Sequence, residues 1–314
     1  MKIKFAAALC GWMLTMMSAG NLVAQPQKNA QPLAVGYSIP IAKITAGNMK
    51  YAKSVGIDYI EVSFAAFIDS NRKFKKPEAE ILSQVRQAKA DATAAGIKVW
   101  SVHMPYGRHI DISLANEEDR LQVVALHKKV LGFCRELDLQ VVLFHPSYYL
   151  GLNEREIRKS QMIKSATALN EAVKEMGAIM VIENMLGPEL LKDAKTERPL
   201  CRTVEETVEI MNKLPADIYS AVDMNHISNP EKLIQAMGNR LRSVHVADGN
   251  GREENHYLPC NGKGNNNWTA ILGALRDAGY QGPFMYEAKI TDVNELRPCY
   301  EKLYNAFISG ISSK

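Results

Sequence analysis

Six short apolar runs in the chain each end in a side chain that binds metals or moves protons. They read VWSVHMP with His103, VVLFHPS with His145, IMVIENM with Glu183, YSAVDMNHI with Asp223 and His226, RSVHVADG with His245 and Asp248, and PFMYEAK with Glu287. A strand buried on both faces is apolar throughout. An ionisable group placed there costs free energy unless it is paired or bound to a metal. One strand-end histidine is more often a hydrogen-bonded structural residue than a ligand, but recurrence in six runs implies a polar site ringed by strand ends. Within the set, Glu183, Asp223, His245 and Glu287 supply three carboxylates and an imidazole. That oxygen-rich combination suits Mn²⁺, Mg²⁺ or Co²⁺, and the histidine also admits Zn²⁺.

The elements that must position these residues alternate along the chain. Strand-like runs fall near 33–39, 57–63, 97–104, 140–145, 178–184, 218–223, 241–247 and 283–288, with amphipathic stretches between them, clearest at 78–95, 116–137 and 154–177. In 116–137 the spacing of Leu121, Val124, Ala125, Lys128 and Leu131 predicts the buried face. Gly56, Gly96, Gly177 and Gly279 each stand where a helix should end before the next strand. Eight alternating pairs predict an α/β fold, a single (β/α)8 TIM barrel, whose active site lies at the C-terminal ends of the strands. A doubly wound sheet is the alternative; it would be favoured by a glycine-rich phosphate turn after the first strand, and GYSIPIAKITAG is not one.

Lys2 and Lys4, the apolar stretch from Phe5 to Met17 and a small residue at Ala24 have the layout of a secretory signal peptide. The apolar part is shorter than the ~20 residues a membrane span needs, and Ala7-Ala8-Leu9 before Cys10 matches a lipoprotein signal poorly. The expected organisation is a signal peptide at 1–24, a polar linker at 25–32 (QPQKNAQP) and the barrel at 33–314. The mature protein is then periplasmic or secreted, with no membrane contact after cleavage. The formal net charge of +4 includes the two leader lysines, so nothing favours a nucleic-acid partner. A homo-oligomer remains compatible. Of the four cysteines beyond the leader, Cys134 reads as a buried free thiol, and pairing of Cys260 with Cys299 is left open.

The segments SVHMP, FHPS, IEN, VDMNH, VHVADGNG, HYLPCNGKGNNNW and YEAK resemble, in order and spacing, the xylose-isomerase-like barrel superfamily. That group includes sugar isomerases, tagatose/psicose-type 3-epimerases and endonuclease IV. The resemblance runs from about residue 33 to 309. It implies that Glu183 and Glu287 are both metal ligands and acid/base groups, and that Asp223 and His245 complete the metal site. It also implies substrate contacts for Glu189 and His226. The epimerases' arginine has no counterpart at Gly251, which leaves Arg252, the next residue, as the substitute. His103, His145, Asp248 and His256 are expected around the substrate, or holding a further metal.

The resulting expectation is an exported, metal-dependent isomerase or epimerase acting on a small, non-phosphorylated sugar or keto-sugar. Three alternatives use the same residues differently. One is a lyase or hydrolase of 3-keto glycosides with the same metal and bases. Another is an endonuclease-IV-like multi-zinc phosphodiesterase, in which Glu254-Asn255-His256 stands for a D-x-H element. The last is a non-catalytic sugar-binding barrel. Smaller expectations concern Glu61 as an interior hydrogen-bonding residue, His127 as structural, His109 as pocket or surface, and Tyr106, Tyr148 and Tyr149 as a cover for the barrel mouth. The loop Asn261-Gly262-Lys263-Gly264 before Trp268 is expected to close a turn.

Overall fold

The computed structural model describes residues 31–149, 153–186 and 199–312. Within them, strands β1 (Val35–Pro40), β2 (Tyr59–Ser63), β3 (Lys98–His103), β4 (Val141–Phe144), β5 (Ile179–Glu183), β6 (Ile218–Asp223), β7 (Leu241–His245) and β8 (Phe284–Tyr286) alternate with helices. The helices are α1 (Ala46–Ser54), α2 (Glu78–Ala94), α3 (Glu117–Cys134), α4 (Arg155–Lys174), α5 (Val204–Lys213), α6 (Pro230–Met237), α7 (Trp268–Asp277) and α8 (Leu296–Ser312). The strands form one parallel sheet in the order β7-β6-β5-β4-β3-β2-β1-β8. A parallel bridge between Val246 and Tyr286 joins its two ends. The architecture is a single (β/α)8 barrel, as the alternation predicts. The expected leader at 1–24, and the linker as far as residue 30, lie outside the described residues.

Period-two alternation decides which side chains enter the barrel. On β4, β5 and β6 the residues Val142, Phe144, Met180, Ile182, Ile218 and Val222 join the main core between sheet and helices. Their neighbours Val141, Leu143, Val181 and Ala221 form a separate cluster inside the barrel, with Trp100, Ile179 and Tyr219 packed against it. Each fully buried aliphatic of this kind contributes ~1.5–3 kcal/mol. Continuing the inward series towards the C-terminal ends gives His145, Glu183 and Asp223. Apolar layers below thus lead to polar groups at the mouth.

Two register shifts complete the alignment. An extra residue on β3 brings Ser101 opposite Glu61, and another on β7 brings His245 opposite Asp223. Bulges of this type re-aim side chains near functional sites.

The helices begin where side chains can cap them. Thr45, Asn116, Thr203 and Asn267 each accept a hydrogen bond from a first-turn N–H of α1, α3, α5 and α7, worth ~1 kcal/mol apiece. The four helix-ending glycines all have positive φ, including +73° at Gly96 and +75° at Gly177.

The face expected of α3 requires correction. Leu121 is 54% exposed, and Ala125 and Lys128 are exposed too. The buried stripe is Val123, Val124, His127, Val130, Leu131 and Cys134. His127 can occupy that stripe because Nε2 bonds the Ile110 carbonyl at 3.0 Å. Burial pushes its pKa down to about 4, which keeps it neutral. Cys134 is a buried free thiol, whereas Cys260 and Cys299 form a disulfide linking the segment after β7 to α8. No described helix is long and apolar enough to cross a membrane.

Candidate metal and proton-transfer site

Glu183 ends β5, Asp223 ends β6, His245 ends β7 and Glu287 follows β8. Their ligand-type atoms all lie within 4.8 Å of one another. His245 Nδ1 is 2.8 Å from Glu183 Oε1, 2.7 Å from Glu287 Oε2 and 3.9 Å from Asp223 Oδ2. The opposite nitrogen, Nε2, is 2.9 Å from Glu61 Oε1. His245, Glu183, Asp223 and Glu61 are fully buried, whereas the Glu287 side chain is 31% exposed.

The electrostatics follow from packing carboxylates around one imidazole. Burial opposes charge on His245, but Glu287, Glu61 and Glu183 outweigh it and hold its pKa well above the ordinary histidine range. Burial also opposes charge on Glu183, yet His245 and His145 keep that carboxyl well below its usual value. Against the same burial, His245 pulls Glu287 down to about 2. Asp223 goes the other way, to about 6, chiefly through burial. The residues present fit a divalent cation. Among the described residues, buried Asp223 Oδ2 has no hydrogen-bond partner, and Glu183 Oε2 meets His145 Nε2 at 3.1 Å without hydrogen-bonding geometry. A cation at this point would use both oxygens and relieve the mutual repulsion of the three carboxylates.

His103 and His145 flank the cage on the β3–β4 side. Their Nε2 atoms are 3.1 Å apart, and His103 Nε2 lies 3.7 Å from Glu183 Oε2. His103 Nδ1 bonds the Met104 carbonyl at 3.0 Å, directing Nε2 towards the cage. Tyr106 stacks on His145 with centroids 4.6 Å apart and is 41% exposed, so it stands over the mouth. Tyr148 is 6.4 Å from Tyr106, whereas Tyr149 is buried under Arg158.

A second histidine group lies on the opposite flank. His226 Nδ1 bonds the Asn184 carbonyl at 3.0 Å, and His256 Nδ1 bonds the Glu287 carbonyl at 2.7 Å. Their Nε2 atoms both meet Glu254 Oε2, at 3.2 and 2.9 Å. Asp223, His226 and His256 also offer atoms within 4.8 Å of one another. Burial opposes protonation of both rings. For His226 the nearby Asp223 and Glu254 outweigh it and raise the pKa to about 10; for His256, Glu254 and Asp223 raise it to about 9.

Three expected substrate contacts fare differently. Asp248 is buried at the mouth, but Oδ1 accepts from Gly249 and Asn266 N–H groups and Oδ2 accepts from Trp268 Nε1. It therefore holds the segment after β7 together rather than facing a ligand. Gly264 is required beside it, since a Cβ there would come within 2.0 Å of the Asp248 carboxyl carbon. Arg252 is exposed on that segment, outside the cluster. Glu189 lies outside the described residues. His109 lines a surface groove with Arg72 and Asp119.

Sequence reasoning missed Asn184 as a site residue and placed Glu254 only within the phosphodiesterase alternative. Asn184 exchanges two side-chain hydrogen bonds with the Asp223 backbone, at 2.8 and 3.1 Å, while its carbonyl holds His226. The signal available was its place directly after Glu183.

The chain belongs to the xylose isomerase-like TIM barrel family, whose sequence model matches residues 49–301. It is 22% identical over 251 residues to a D-psicose 3-epimerase of Enterocloster bolteae, covering 76% of this chain and 75% of that protein. Among solved structures, a D-tagatose 3-epimerase-like protein superimposes with a TM-score of 0.69 at 18% identity, over 88% of this chain and 99% of the other. The 3-keto-D-glucoside 4-epimerase YcjR of E. coli gives 0.62 at 16% identity, with the same coverage. At these identities the structural likeness establishes the fold.

Proposed function

We propose that the protein is an exported, divalent-metal-dependent sugar isomerase or epimerase acting on a non-phosphorylated sugar or keto-sugar. The observation that carries this reading is the pair Glu183, at the end of β5, and Glu287, just after β8, both within hydrogen-bond distance of His245 Nδ1. Family membership and the 3-epimerases among its relatives support it.

Glu183, Asp223, His245 and Glu287 would hold the cation, which would polarise a sugar carbonyl and stabilise the negative charge that develops on its oxygen. One carboxylate takes the proton from the carbon beside the carbonyl, and the electron pair of that C–H bond moves onto the carbonyl oxygen. Epimerisation requires the other carboxylate to enter the step carrying a proton taken from solvent and to deliver it to the opposite face of the same carbon. The first carboxylate then releases its proton to solvent. Return of the abstracted proton to the neighbouring, former carbonyl carbon isomerises the sugar instead, with the hydroxyl proton of the first carbon passing to the former carbonyl oxygen. The 31% exposure of Glu287 leaves it open towards the mouth, which favours it as the initial base. His103 and His145 would orient hydroxyls, with Tyr106 over the ring.

The Cys260–Cys299 disulfide supports export, since such bonds persist in oxidising compartments. Export in turn favours glycosides and their oxidised forms over phosphorylated sugars, and the likeness to a 3-keto-glucoside epimerase makes 3-keto glycosides the second substrate class to try. There, loss of the same proton could expel the glycosidic oxygen. The convergence of His226, Glu254 and His256 favours testing for more than one bound ion.

The test is solvent deuterium incorporation into free ketoses, aldoses and 3-keto glycosides, measured alongside bound metals. Exchange at the carbon beside the carbonyl is expected. Sugar binding without exchange by the metal-loaded protein would overturn the reading in favour of a binding barrel.

A further inference from the structure

Among the described residues, Glu61 is the one carboxylate touching His245 that does not face the cage. It sits on β2, across the barrel from β7, at 0% exposure. Its two oxygens have separate partners: Oε1 is 2.9 Å from His245 Nε2, and Oε2 accepts from Ser101 Oγ at 2.8 Å. Along the strand register Glu61 stands in a row with Ser101, Val141 and Ile179, beside the apolar lumen cluster of Val141, Leu143, Val181 and Ala221. An apolar side chain would be the cheaper occupant, since a buried carboxylate carries a desolvation cost. The extra residue on β3 that aligns Ser101 with Glu61 adds a second feature dedicated to the same group.

The arrangement determines which nitrogen of His245 is available. A carboxylate only accepts hydrogen bonds, so the Nε2 that meets Glu61 carries hydrogen. By the same rule Nδ1 carries hydrogen against Glu183 and Glu287 while no cation is bound. A cation among those carboxylates would displace that hydrogen and take the Nδ1 lone pair, while Nε2 keeps its own hydrogen on Glu61. Without Glu61, a buried Nε2–H would lose its acceptor at a cost of ~1–3 kcal/mol, and the competing tautomer would turn an N–H towards the cage.

We propose that Glu61 is a positioning residue that selects the Nε2–H tautomer of His245 and so presents Nδ1 as a metal ligand. The inference rests on the metal-cage reading but not on the identity of the sugar. Partners behind ligating histidines typically contribute ~10–100-fold in metal affinity.

The experiment compares the purified wild-type protein with E61L, E61Q and E61D. Mn²⁺ affinity is measured by chelator competition, and the thermal midpoint is measured without metal. E61L should bind Mn²⁺ ~10–100-fold more weakly. E61Q, which keeps an acceptor for Nε2–H, should stay within ~5-fold of wild type on the same argument. The metal-free midpoint of E61L should fall whichever role Glu61 has, because His245 Nε2–H and the Ser101 hydroxyl lose their buried acceptor. Mn²⁺ affinity is therefore the readout that separates the two roles. A residue that only fills space would lower the midpoint and leave affinity unchanged, and that result overturns the proposal. If E61L does not fold, E61D withdraws the carboxylate by one methylene. Weaker Mn²⁺ binding then supports the proposal, and wild-type affinity overturns it. A wild-type protein that binds no divalent ion overturns the cage reading together with this inference. Equal affinities in wild type and E61L overturn this inference alone.

Discussion

Two histidine–carboxylate groups share the barrel mouth, and they are tied down in different ways. In the cage, His245 is held on both nitrogens by side-chain carboxylates, and the ring is fully buried. In the outer group, His226 and His256 each rest Nδ1 on a backbone carbonyl and direct Nε2 to a single carboxylate, Glu254, which is 57% exposed. Backbone carbonyls do not move or titrate, so they fix ring orientation cheaply. Buried carboxylates instead store electrostatic free energy that a cation can release. The inner group gathers more carboxylates around one imidazole than that ring can balance, an arrangement a cation would stabilise. The outer group is already balanced by its own protons and partly screened by water.

The sharpest way to break this contrast is E287Q. Removing one of the two carboxylates proposed to transfer the proton should lower the deuterium-exchange rate by ~10²–10⁴-fold; near-wild-type exchange would remove Glu287 from the mechanism. Next in size is D223N, which deletes a proposed first ligand. It should weaken Mn²⁺ binding by more than the ~10–100-fold expected of a residue behind a ligand, as read by chelator competition. Third, H256A should slow exchange by less than ~10-fold while lowering stability by ~1.5–3 kcal/mol, the usual worth of a charged hydrogen bond. Urea denaturation measures the second quantity. A loss of exchange as large as in E287Q would erase the distinction between the groups.

The smallest effect concerns pH in the metal-free protein. With His226 raised to about 10 and His256 to about 9, folding favours their protonated forms. Their stabilisation is complete below the unfolded value of ~6.5 and is lost as pH rises through 9 to 10. Denaturation midpoints should therefore fall between about pH 7 and 10, and E254Q should flatten that fall. A midpoint independent of pH in this window would show that the outer histidines are not held as cations.

The inner group was legible in the chain because alternation places every second strand residue inside and strand ends mark the mouth. Those two rules bring Glu183 and Asp223 to one place, and the extra residue on β7 sets His245 opposite Asp223. The outer group was only partly legible. His226 and His256 stood out by residue type, but Glu254 lies in a non-repetitive segment where spacing carries no direction. Asp248 was read as a substrate contact because it follows a strand end; nothing in the linear order announces that Asn266 and Trp268 return to occupy its oxygens. The buried face of α3 was misassigned for a related reason, since a neutral histidine with a backbone partner can replace an apolar residue in a core stripe.

Residue type and period were enough to determine the strand–helix alternation, the parallel barrel and the strand-end position of Glu183, Asp223 and His245, because these depend on local hydrogen bonding and on which side of a strand a side chain leaves. Only the tertiary structure decided the pairing of Cys260 with Cys299, the convergence of His226 and His256 on Glu254, and the reach of Glu61 across the barrel to His245. Those contacts join residues far apart in the chain. Their partners are selected by strand register, two bulges and loop packing, none of which leaves a repeating mark in the sequence.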